Sequence, residues 1–434
     1  MKKLSILMAV GIVFLFCSGT VFGGNPPSNF YVDETALPFE SLPGTNTTCY
    51  WGVHKNAGYQ VEVPDNWNGD LVMYCHGYRG SEPRLYVSQP SIRAYLVDNG
   101  FAWAASSYST NGYDVKAGVK DTHALAKFFN GLVKKPRRIY IIGHSMGGHV
   151  TGVAIEQYPK MFAGALPMCG VMGDCELFDF FLDYQALAQY FTDTTVIFPW
   201  PEDYAAAIVP QMKFELAGGI PGYPFILSPE GLLLREATKY RSGGERPFFD
   251  TAFLYWGNFL FDQGLVGDIG IAAGNVMDNT DTVYQLDGDS DLSASEMDLN
   301  EAIIRVAADP QGRRPNGLAN IPPISGNINI PVLTLHTIGD LFVPFSMEQI
   351  YAERVAAQGK EHLLVQRAIR DFGHCYFKTS EQEVAFADLV NWVESGIRPS
   401  GDNVLDALEV ADPNFGCQFT DGTHVNILPI PACQ

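Results

Sequence analysis

A tight turn between a short apolar strand and a helix constrains this chain more than any other feature. The turn reads Gly143-His144-Ser145-Met146-Gly147-Gly148, follows the apolar stretch 138–142 and precedes a helical stretch that Pro159 ends. Small flanking residues allow a serine to take a strained backbone and to expose its hydroxyl at the carboxyl edge of a sheet. A phosphate-binding loop is the alternative, but its lysine and glycine spacing are missing. We therefore interpret Ser145 as a candidate nucleophile.

Strand and helix patterns alternate on both sides of this turn. In chain order the apolar spacing predicts a helix at 91–97, a strand at 101–107, a helix within 114–133, a strand at 138–142, a helix at 147–158, strands at 162–167, 332–336 and 363–368, and a helix at 381–393. Such alternation predicts an α/β fold whose sheet is mostly parallel and whose crossovers are right-handed.

The N-terminal part of the sheet is predicted to be a β-hairpin. The Pro- and Thr-rich stretch up to Asn56 reads as a lead-in. Val61 and Val63 then alternate with polar residues, a turn-forming stretch follows at 64–69, and 71–74 is a second apolar run that leads to His76-Gly77. Two such runs joined by turn residues predict paired antiparallel strands.

Residues 173–329 interrupt the alternation and are rich in aromatic residues. An insertion of that length must bury a core of its own, so we predict a cap (lid) domain there. The core domain is then formed by 24–172 and 330–434, the latter with a C-terminal tail. Aromatic side chains gain most by desolvating a ring, and we therefore predict that Trp200 and Trp256 contribute to a substrate pocket in the cap.

A serine nucleophile needs a base that takes its proton and a carboxylate that orients the base. Asp340 follows the predicted strand 332–336, and His374 follows the predicted strand 363–368. Both would reach the carboxyl edge of the sheet, and the order Ser, Asp, His fits a serine hydrolase. Asp371 remains open as an alternative acid. The histidines weighed against His374 are His362, which precedes its strand, His424 in the tail, and His144 and His149 beside the nucleophile.

The negative charge that develops on the substrate oxygen requires two backbone donors. The N–H of Met146 follows the nucleophile at a predicted helix start. The N–H of Tyr78 follows His76-Gly77, where glycine permits close approach. We predict that Met146 and Tyr78 form the oxyanion hole, although the second stretch could also be an ordinary strand-ending turn.

These residues resemble the α/β-hydrolase superfamily, and specifically its secreted bacterial serine esterases with a large cap between the sixth and seventh strands. The resemblance covers 59–171 and 330–396, and it implies the triad Ser145, Asp340 and His374. His374-Cys375 is also similar to the His-Cys pair of tannases and feruloyl esterases, although that group has cysteine where this chain has His144. Ser145-Met146-Gly147 resembles cutinase-like polyester hydrolases, which lack so large a cap.

The predicted activity is hydrolysis of small or oligomeric carboxylic esters through an acyl-enzyme. A peptidase or amidase of the same fold, for example an aminopeptidase, is the alternative. Such an enzyme needs cap carboxylates for a substrate amine, and the candidates are Glu202, Asp203 and Glu215. A non-catalytic binding module is a third possibility, but such proteins characteristically lose the nucleophile or the base.

The chain starts with Met1-Lys2-Lys3 and an apolar run to Phe16, which predicts an export signal peptide over 1–23 with cleavage near Gly23. We therefore expect a secreted or periplasmic protein without a membrane span. The formal charge is −20, and like charges repel, so nucleic acid is not an expected partner. The oligomeric state stays open.

Seven cysteines follow the signal, and export permits disulfides. We expect Cys375 to be bridged, with Cys417 as first and Cys49 as second candidate, and Cys169 to pair locally with Cys175. The cysteines do not show the C-x-x-C spacing that is typical of zinc sites, and we therefore expect no zinc. No other cofactor is expected. The acidic stretch 287–296 is similar to a shortened calcium loop, with Asp287, Asp289 and Asp291 as weak ligand candidates. Ser293 and Glu296 within it predict a capping box that opens a helix through 305.

Overall fold

The protein is built around an eight-stranded sheet, which was described from a computed structural model that covers residues 30–263, 275–313 and 320–434. The predicted signal peptide lies outside the described residues. The strands are β1 (Tyr31–Val32), β2 (Thr47–His54), β3 (Ala57–Pro64), β4 (Asp70–Cys75), β5 (Arg84–Leu85), β6 (Ala102–Ser106), β7 (Arg138–His144), β8 (Gly164–Met168), β9 (Val332–Thr337) and β10 (Leu364–Ile369).

The helices lie between and after these strands. They are α1 (Arg93–Asp98), α2 (Val115–Leu132), α3 (Met146–Gln157), α4 (Glu176–Phe191), α5 (Val209–Leu216), α6 (Pro229–Arg241), α7 (Phe249–Leu260), α8 (Ala294–Ala302), α9 (Ser346–Ala357), α10 (Thr379–Ser395) and α11 (Ala407–Val410). No helix in the described ranges combines the length and the apolar character needed to span a membrane.

The strand order in the large sheet is β10-β9-β8-β7-β4-β6-β3-β2. The strands from β10 to β6 pair in parallel, whereas β3 and β2 add an antiparallel edge. The predicted α/β fold with a mostly parallel sheet is therefore confirmed. Because the strands that precede the candidate catalytic residues run in the same direction, their carboxyl ends meet at one edge.

The predicted hairpin between 59–63 and 71–74 is wrong, because β6 lies between β3 and β4 in the sheet. The hairpin of the structure joins β2 to β3. Its two turn residues, Lys55 and Asn56, have φ angles of +52° and +67°, the left-handed geometry that two-residue hairpins favour. The stretch up to Asn56 is thus more than a lead-in. A local turn signal cannot reveal a strand that arrives later in the chain.

Alternate residues of the central strands pack on opposite faces of the sheet. On β7, Ile141 packs into the cluster that contains α2 and α3, whereas Tyr140 and Ile142 pack into the cluster that contains α1 and α10. This period-two alternation follows from strand geometry, and it makes the sheet apolar on both faces. Helices therefore cover the sheet on both of its faces.

Helices α4 to α8 occupy the insertion between β8 and β9, the sixth and seventh strands of the large sheet in chain order. Most of their aromatic residues pack in one cluster that continues into the core, and Tyr184 donates to Gly257 O over 2.9 Å. The capping box of Ser293 and Glu296 is present, but α8 ends at Ala302 rather than at 305. The boundaries of a separate cap domain remain a prediction.

The structure contains the disulfides Cys169–Cys375 and Cys417–Cys433. The expectation that Cys375 is bridged is confirmed, but both proposed partners and the local Cys169–Cys175 pair are wrong. Cys49 and Cys175 are free thiols. Cys169 directly follows β8 and so lies at the sheet edge that the His374 loop also reaches. The two cysteines meet because β8 and β10 end at the same edge of the sheet, on either side of β9.

Candidate active site

Ser145 stands between β7 and α3 with a backbone of φ +57° and ψ −124°. A side chain in this left-handed region is strained and persists only where the surroundings enforce it. The surroundings here are backbone atoms: a Cβ at Gly143 would overlap the carbonyl oxygen of Gly147, and a Cβ at Gly147 would overlap that of Cys75. Glycine is therefore required at both positions, and the turn holds Ser145 with its side chain half-exposed.

The segment after β4 lies against the nucleophile. A Cβ on Gly77 would be 3.2 Å from the Cβ of Ser145 and 3.7 Å from its Oγ. His76 holds this segment, since its ring nitrogens lie 2.7 Å from Gly77 O and 3.1 Å from Ser107 O and the ring stacks on Tyr108. Burial lowers the pKa of His76 to about 3, which keeps the imidazole neutral. Tyr78 follows Gly77 directly.

The three predicted catalytic side chains lie in one hydrogen-bonded row. Ser145 Oγ is 2.9 Å from His374 Nε2, and His374 Nδ1 is 2.6 Å from Asp340 Oδ2. Asp340 is fully buried, whereas the side chain of His374 is 16% exposed. Both distances are those of hydrogen bonds. The arrangement can pass a proton from the serine hydroxyl to the imidazole while the carboxylate holds the ring in the required tautomer.

The turn after β9 holds Asp340 in place. Asp340 Oδ1 accepts from the backbone N–H groups of Phe342 (2.9 Å) and Val343 (3.1 Å). Arg246 in the insertion is buried, and its Nε donates to Ile338 O over 2.7 Å. Burial lowers the pKa of Arg246 to about 9, and the negative charge of Asp340 acts in the opposite direction. The sequence gives no signal for this arginine, because it lies more than ninety residues before Asp340.

The loop that carries His374 is held by groups from three distant segments. Cys375 is bonded to Cys169 at the end of β8. Trp256 on α7 donates its indole N–H to Phe372 O over 2.7 Å, and Thr337 Oγ1 donates to Gly373 O over 3.0 Å. The loop has no regular secondary structure of its own. Its position relative to Ser145 therefore depends on these anchors.

Aromatic rings surround the histidine on the side of the insertion. The ring of Phe342 lies 5.0 Å from that of His374, and Phe259 on α7 lies 4.8 Å from Phe342. Both phenylalanines are half-buried. Trp256 is buried behind them, 6.3 Å from Phe342, whereas Trp200 stacks on Tyr204 at 5.0 Å elsewhere in the insertion. The predicted pocket residues thus lie in different places, and sequence analysis missed Phe342 although it is two residues after Asp340.

The competing acid and histidines have other contacts. Asp371 pairs with His424, at 2.8 Å between Oδ2 and Nδ1. His144 Nε2 faces Gln382 Oε1 at 3.1 Å, His149 faces Tyr113 OH and Pro322 O, and His362 is exposed before β10. The structure therefore brings Asp340 and His374 to Ser145, and it uses the others as hydrogen-bonding residues.

The acidic stretch of the insertion forms chained turns. Asp287 Oδ1 accepts from the N–H of Asp289, and Asp289 Oδ1 from that of Asp291. Among the residues that the structure describes, these three carboxylates do not form a group of ligand atoms within 4.8 Å. Cys169, His374 and Cys375 do form such a group, but the two sulfur atoms are bonded to each other. Calcium binding stays a prediction without support from this geometry.

Comparison with known proteins finds hydrolases that are similar to parts of this chain. The model of the prolyl oligopeptidase family (Peptidase S9) matches residues 98–196, which include the Ser145 turn. An o-phthalyl amidase of Xanthobacter agilis is 30% identical over 77 residues, covering 18% of this chain and 17% of that protein. Acetylxylan esterase A of Emericella nidulans is 23% identical over 192 residues, covering 40% and 58%. The chain thus spans less than two thirds of the length of these relatives.

A solved structure, an esterase from Aspergillus oryzae, superposes with a TM-score of 0.50 at 14% identity. The superposition covers 88% of this chain and 87% of that one. At this identity the likeness concerns the fold alone. Together with the sheet topology it confirms the predicted α/β-hydrolase fold, and the predicted resemblance to esterases of that fold is confirmed as well.

Proposed function

We propose that this chain with the α/β-hydrolase fold is a serine hydrolase that cleaves carboxylic esters through an acyl-enzyme intermediate. The observation that carries the proposal is the row from Ser145 Oγ through His374 to Asp340, with distances of 2.9 and 2.6 Å. Nucleophile, base and orienting carboxylate are the parts that acyl transfer requires.

In this mechanism Ser145 attacks the ester carbonyl while His374 takes its proton. The imidazolium then gives the proton to the leaving alcohol, and water repeats the sequence on the acyl-enzyme. Buried Asp340 accepts the hydrogen bond from His374 Nδ1 and so stabilises the imidazolium. The N–H groups of Met146 and Tyr78 are proposed to bind the oxyanion, since Met146 begins α3 and Gly77 brings the other segment against Ser145.

The aromatic side of the site supports an ester with an apolar or aromatic group. Phe342 and Phe259 present half-buried rings beside His374. Such rings bind apolar groups by removing them from water. Trp256 is proposed to support this wall from behind, and a pocket role for Trp200 is the weaker part of the proposal because its stacking partner is Tyr204.

Cleavage of amides is a second candidate function, because the family match is to prolyl oligopeptidases and one relative is named as an o-phthalyl amidase. The two reactions share the triad and differ in the leaving group. Glu202 and Asp203, two of the candidates for binding a substrate amine, are exposed at the surface of the insertion.

A covalent label and a matched substrate pair test both candidates. A fluorophosphonate should modify Ser145, as found by peptide mass mapping, and Ser145→Ala should abolish the adduct. We expect p-nitrophenyl acetate to be hydrolysed much faster than an amino-acid p-nitroanilide. The reverse ranking would favour the amidase, and absence of both the adduct and turnover would refute a serine hydrolase.

Export is also part of the proposal. Two disulfides in the described residues support an oxidising compartment. We propose that residues 1–23 are removed, so that the mature chain is secreted or periplasmic. Intact-mass measurement of the protein from the extracellular or periplasmic fraction tests this, because a retained leader would add its full mass.

A further inference from the structure

A buried histidine in the C-terminal tail lies between two carboxylates. His424 Nδ1 is 2.8 Å from Asp371 Oδ2, and His424 Nε2 is 2.8 Å from Glu381 Oε1. All three residues are buried, with exposed fractions of 7%, 2% and 5%. A neutral imidazole has one N–H, so only the imidazolium can donate to both carboxylates.

Asp371 connects this histidine to the loop that carries the candidate base. Its other oxygen, Oδ1, accepts from the backbone N–H of Gly373 over 2.7 Å. Gly373 directly precedes His374. The same oxygen accepts from Asn426 Nδ2 in the tail, also over 2.7 Å. The backbone next to the base is therefore fixed by a carboxylate that two tail side chains hold.

Glu381 connects the other side of His424 to a helix. Its Oε2 accepts from the N–H of Lys378 over 2.8 Å at the start of α10, and its Oε1 also accepts from the N–H of Asp421 over 2.9 Å. α10 packs on the sheet through Phe386 and Leu389. His424 thus links the loop that carries His374 to α10, which packs against the core.

The surrounding charges favour the protonated ring. Burial disfavours it, but hydrogen bonds to Asp371 and Glu381 outweigh burial and raise the pKa of His424 to about 9. The remaining charged groups on the adjoining segments have other partners. Lys378 Nζ donates to Asp421 O, Asp421 Oδ2 accepts from Ser380, and Arg370 donates to the carbonyls of Pro413, Phe415 and Pro431.

We propose that His424 is a positioning residue for the reaction, and that the tail, through His424 and Asp371, holds His374 within reach of Ser145. The proposal rests on the proposed function, since it concerns the same base. His424 does not touch the reacting atoms. It acts through the backbone of the loop, where a displacement of about 1 Å can lower the rate on the order of 100-fold.

The direction of the pH effect follows from the raised pKa. Because the folded-state pKa of about 9 exceeds the unfolded value, the contact is fully present below about pH 6.5 and is lost as the pH rises through about 9. The value of kcat should therefore fall as the pH rises through about 9.

Two substitutions at one position separate charge from shape. His424→Gln removes the charge, whereas His424→Arg keeps a charge that does not titrate below pH 12. His362→Gln, at an exposed histidine, is the matched control. For each variant, kcat and KM for p-nitrophenyl acetate are measured from pH 6 to 10, together with the rate of fluorophosphonate labelling of Ser145 and the melting temperature.

We expect His424→Gln to lower kcat about 10- to 100-fold at pH 7, with KM changed by less than about 3-fold and no further fall above pH 9. His424→Arg should recover activity and also lack the alkaline fall. If His424→Gln does not fold, the profile of His424→Arg decides: an alkaline fall like that of the wild type overturns the proposal, as does wild-type kcat in His424→Gln. A wild type that neither turns over nor is labelled refutes the proposed function itself.

Discussion

The turn that holds Ser145 and the loop that holds His374 are positioned by opposite means. The Ser145 turn depends on two glycines, because a Cβ atom at Gly143 or Gly147 would overlap nearby backbone atoms. The His374 loop depends on side chains that come from elsewhere, namely Cys169, Trp256 and Thr337. The residues that shape the Ser145 turn are close to it in sequence, whereas most of those that hold the His374 loop are far from it in sequence.

This contrast teaches where each kind of site residue can be found. A strained turn needs its small neighbours within a few residues, so it leaves a motif. An irregular loop can be held by any group that the fold brings to it, and no spacing rule applies. The turn and the loop must nevertheless bring Ser145 and His374 within hydrogen-bond distance of each other, because the proposed proton transfer takes place between these two side chains.

The largest expected effect is loss of a reacting group from either half. Ser145→Ala and His374→Ala should each lower kcat by on the order of 10^4 or more, and the double variant should be little worse than either, because triad members act as a unit. Asp340→Asn should be less severe than Ser145→Ala. Steady-state kinetics on p-nitrophenyl acetate measure this. Additive losses in the double variant, or full activity of Asp340→Asn, would contradict the assignment.

A substitution that disrupts the Ser145 turn should have the next largest effect. Gly147→Ala should lower kcat by at least about 100-fold and reduce the melting temperature, since the new Cβ would overlap the carbonyl oxygen of Cys75. Gly131→Ala, on the exposed side of α2 with no atom within 4 Å of the added Cβ, is the matched control and should keep full activity. Equal activity in the two variants would mean that the turn tolerates a side chain.

Breaking the covalent anchor of the loop should cost less than breaking the turn, because other anchors remain. Cys375→Ser is expected to lower kcat about 10- to 50-fold, and Cys169→Ser plus Cys375→Ser should match the single variant. Cys49→Ser, at a free thiol, serves as the control. Reduction of the wild-type bond, verified by mass, should have the same effect, and full activity after reduction would show that the bond serves stability alone.

The smallest expected effect is loss of one neutral hydrogen bond to the loop. Trp256→Phe removes the indole N–H that donates to Phe372 O and retains an aromatic ring. We expect kcat to fall about 3- to 10-fold, equally for acetate and bulkier esters, since a neutral hydrogen bond contributes about 1 kcal/mol. Trp51→Phe, at an exposed tryptophan on β2, is the control. A changed ranking of esters would instead place Trp256 in direct contact with substrate.

The same contrast explains how far the sequence could be read. The alternating patterns predicted the parallel sheet, and strand-end logic selected Asp340 and His374, which the structure brings to Ser145. The sequence did not predict the partner of Cys375, because Cys169 and Cys375 follow two different strands, β8 and β10, whose ends lie at the same edge of the sheet on either side of β9. The hairpin error has the same origin, since β6 enters between β3 and β4 from a later position.

The insertion shows how little a sequence pattern says about the contacts of individual aromatic side chains. Its aromatic richness predicted buried rings but not which ring faces the base. Trp200 and Trp256 are alike in sequence terms, yet one stacks on Tyr204 and the other reaches Phe372 O. No pattern near Asp371 indicated His424, which lies 53 residues later and contacts it through the folded tail. Such contacts are fixed by packing of distant segments and have no local period.

The Cys169–Cys375 bond also joins two residues 206 positions apart, with the whole insertion between them. A protease that cuts once inside the insertion would therefore leave two fragments that are still linked beside the candidate active site. One fragment would carry Ser145, and the other would carry Asp340 and His374. Under oxidising conditions the nicked protein would migrate as one molecule, and only a reductant would let its two halves part.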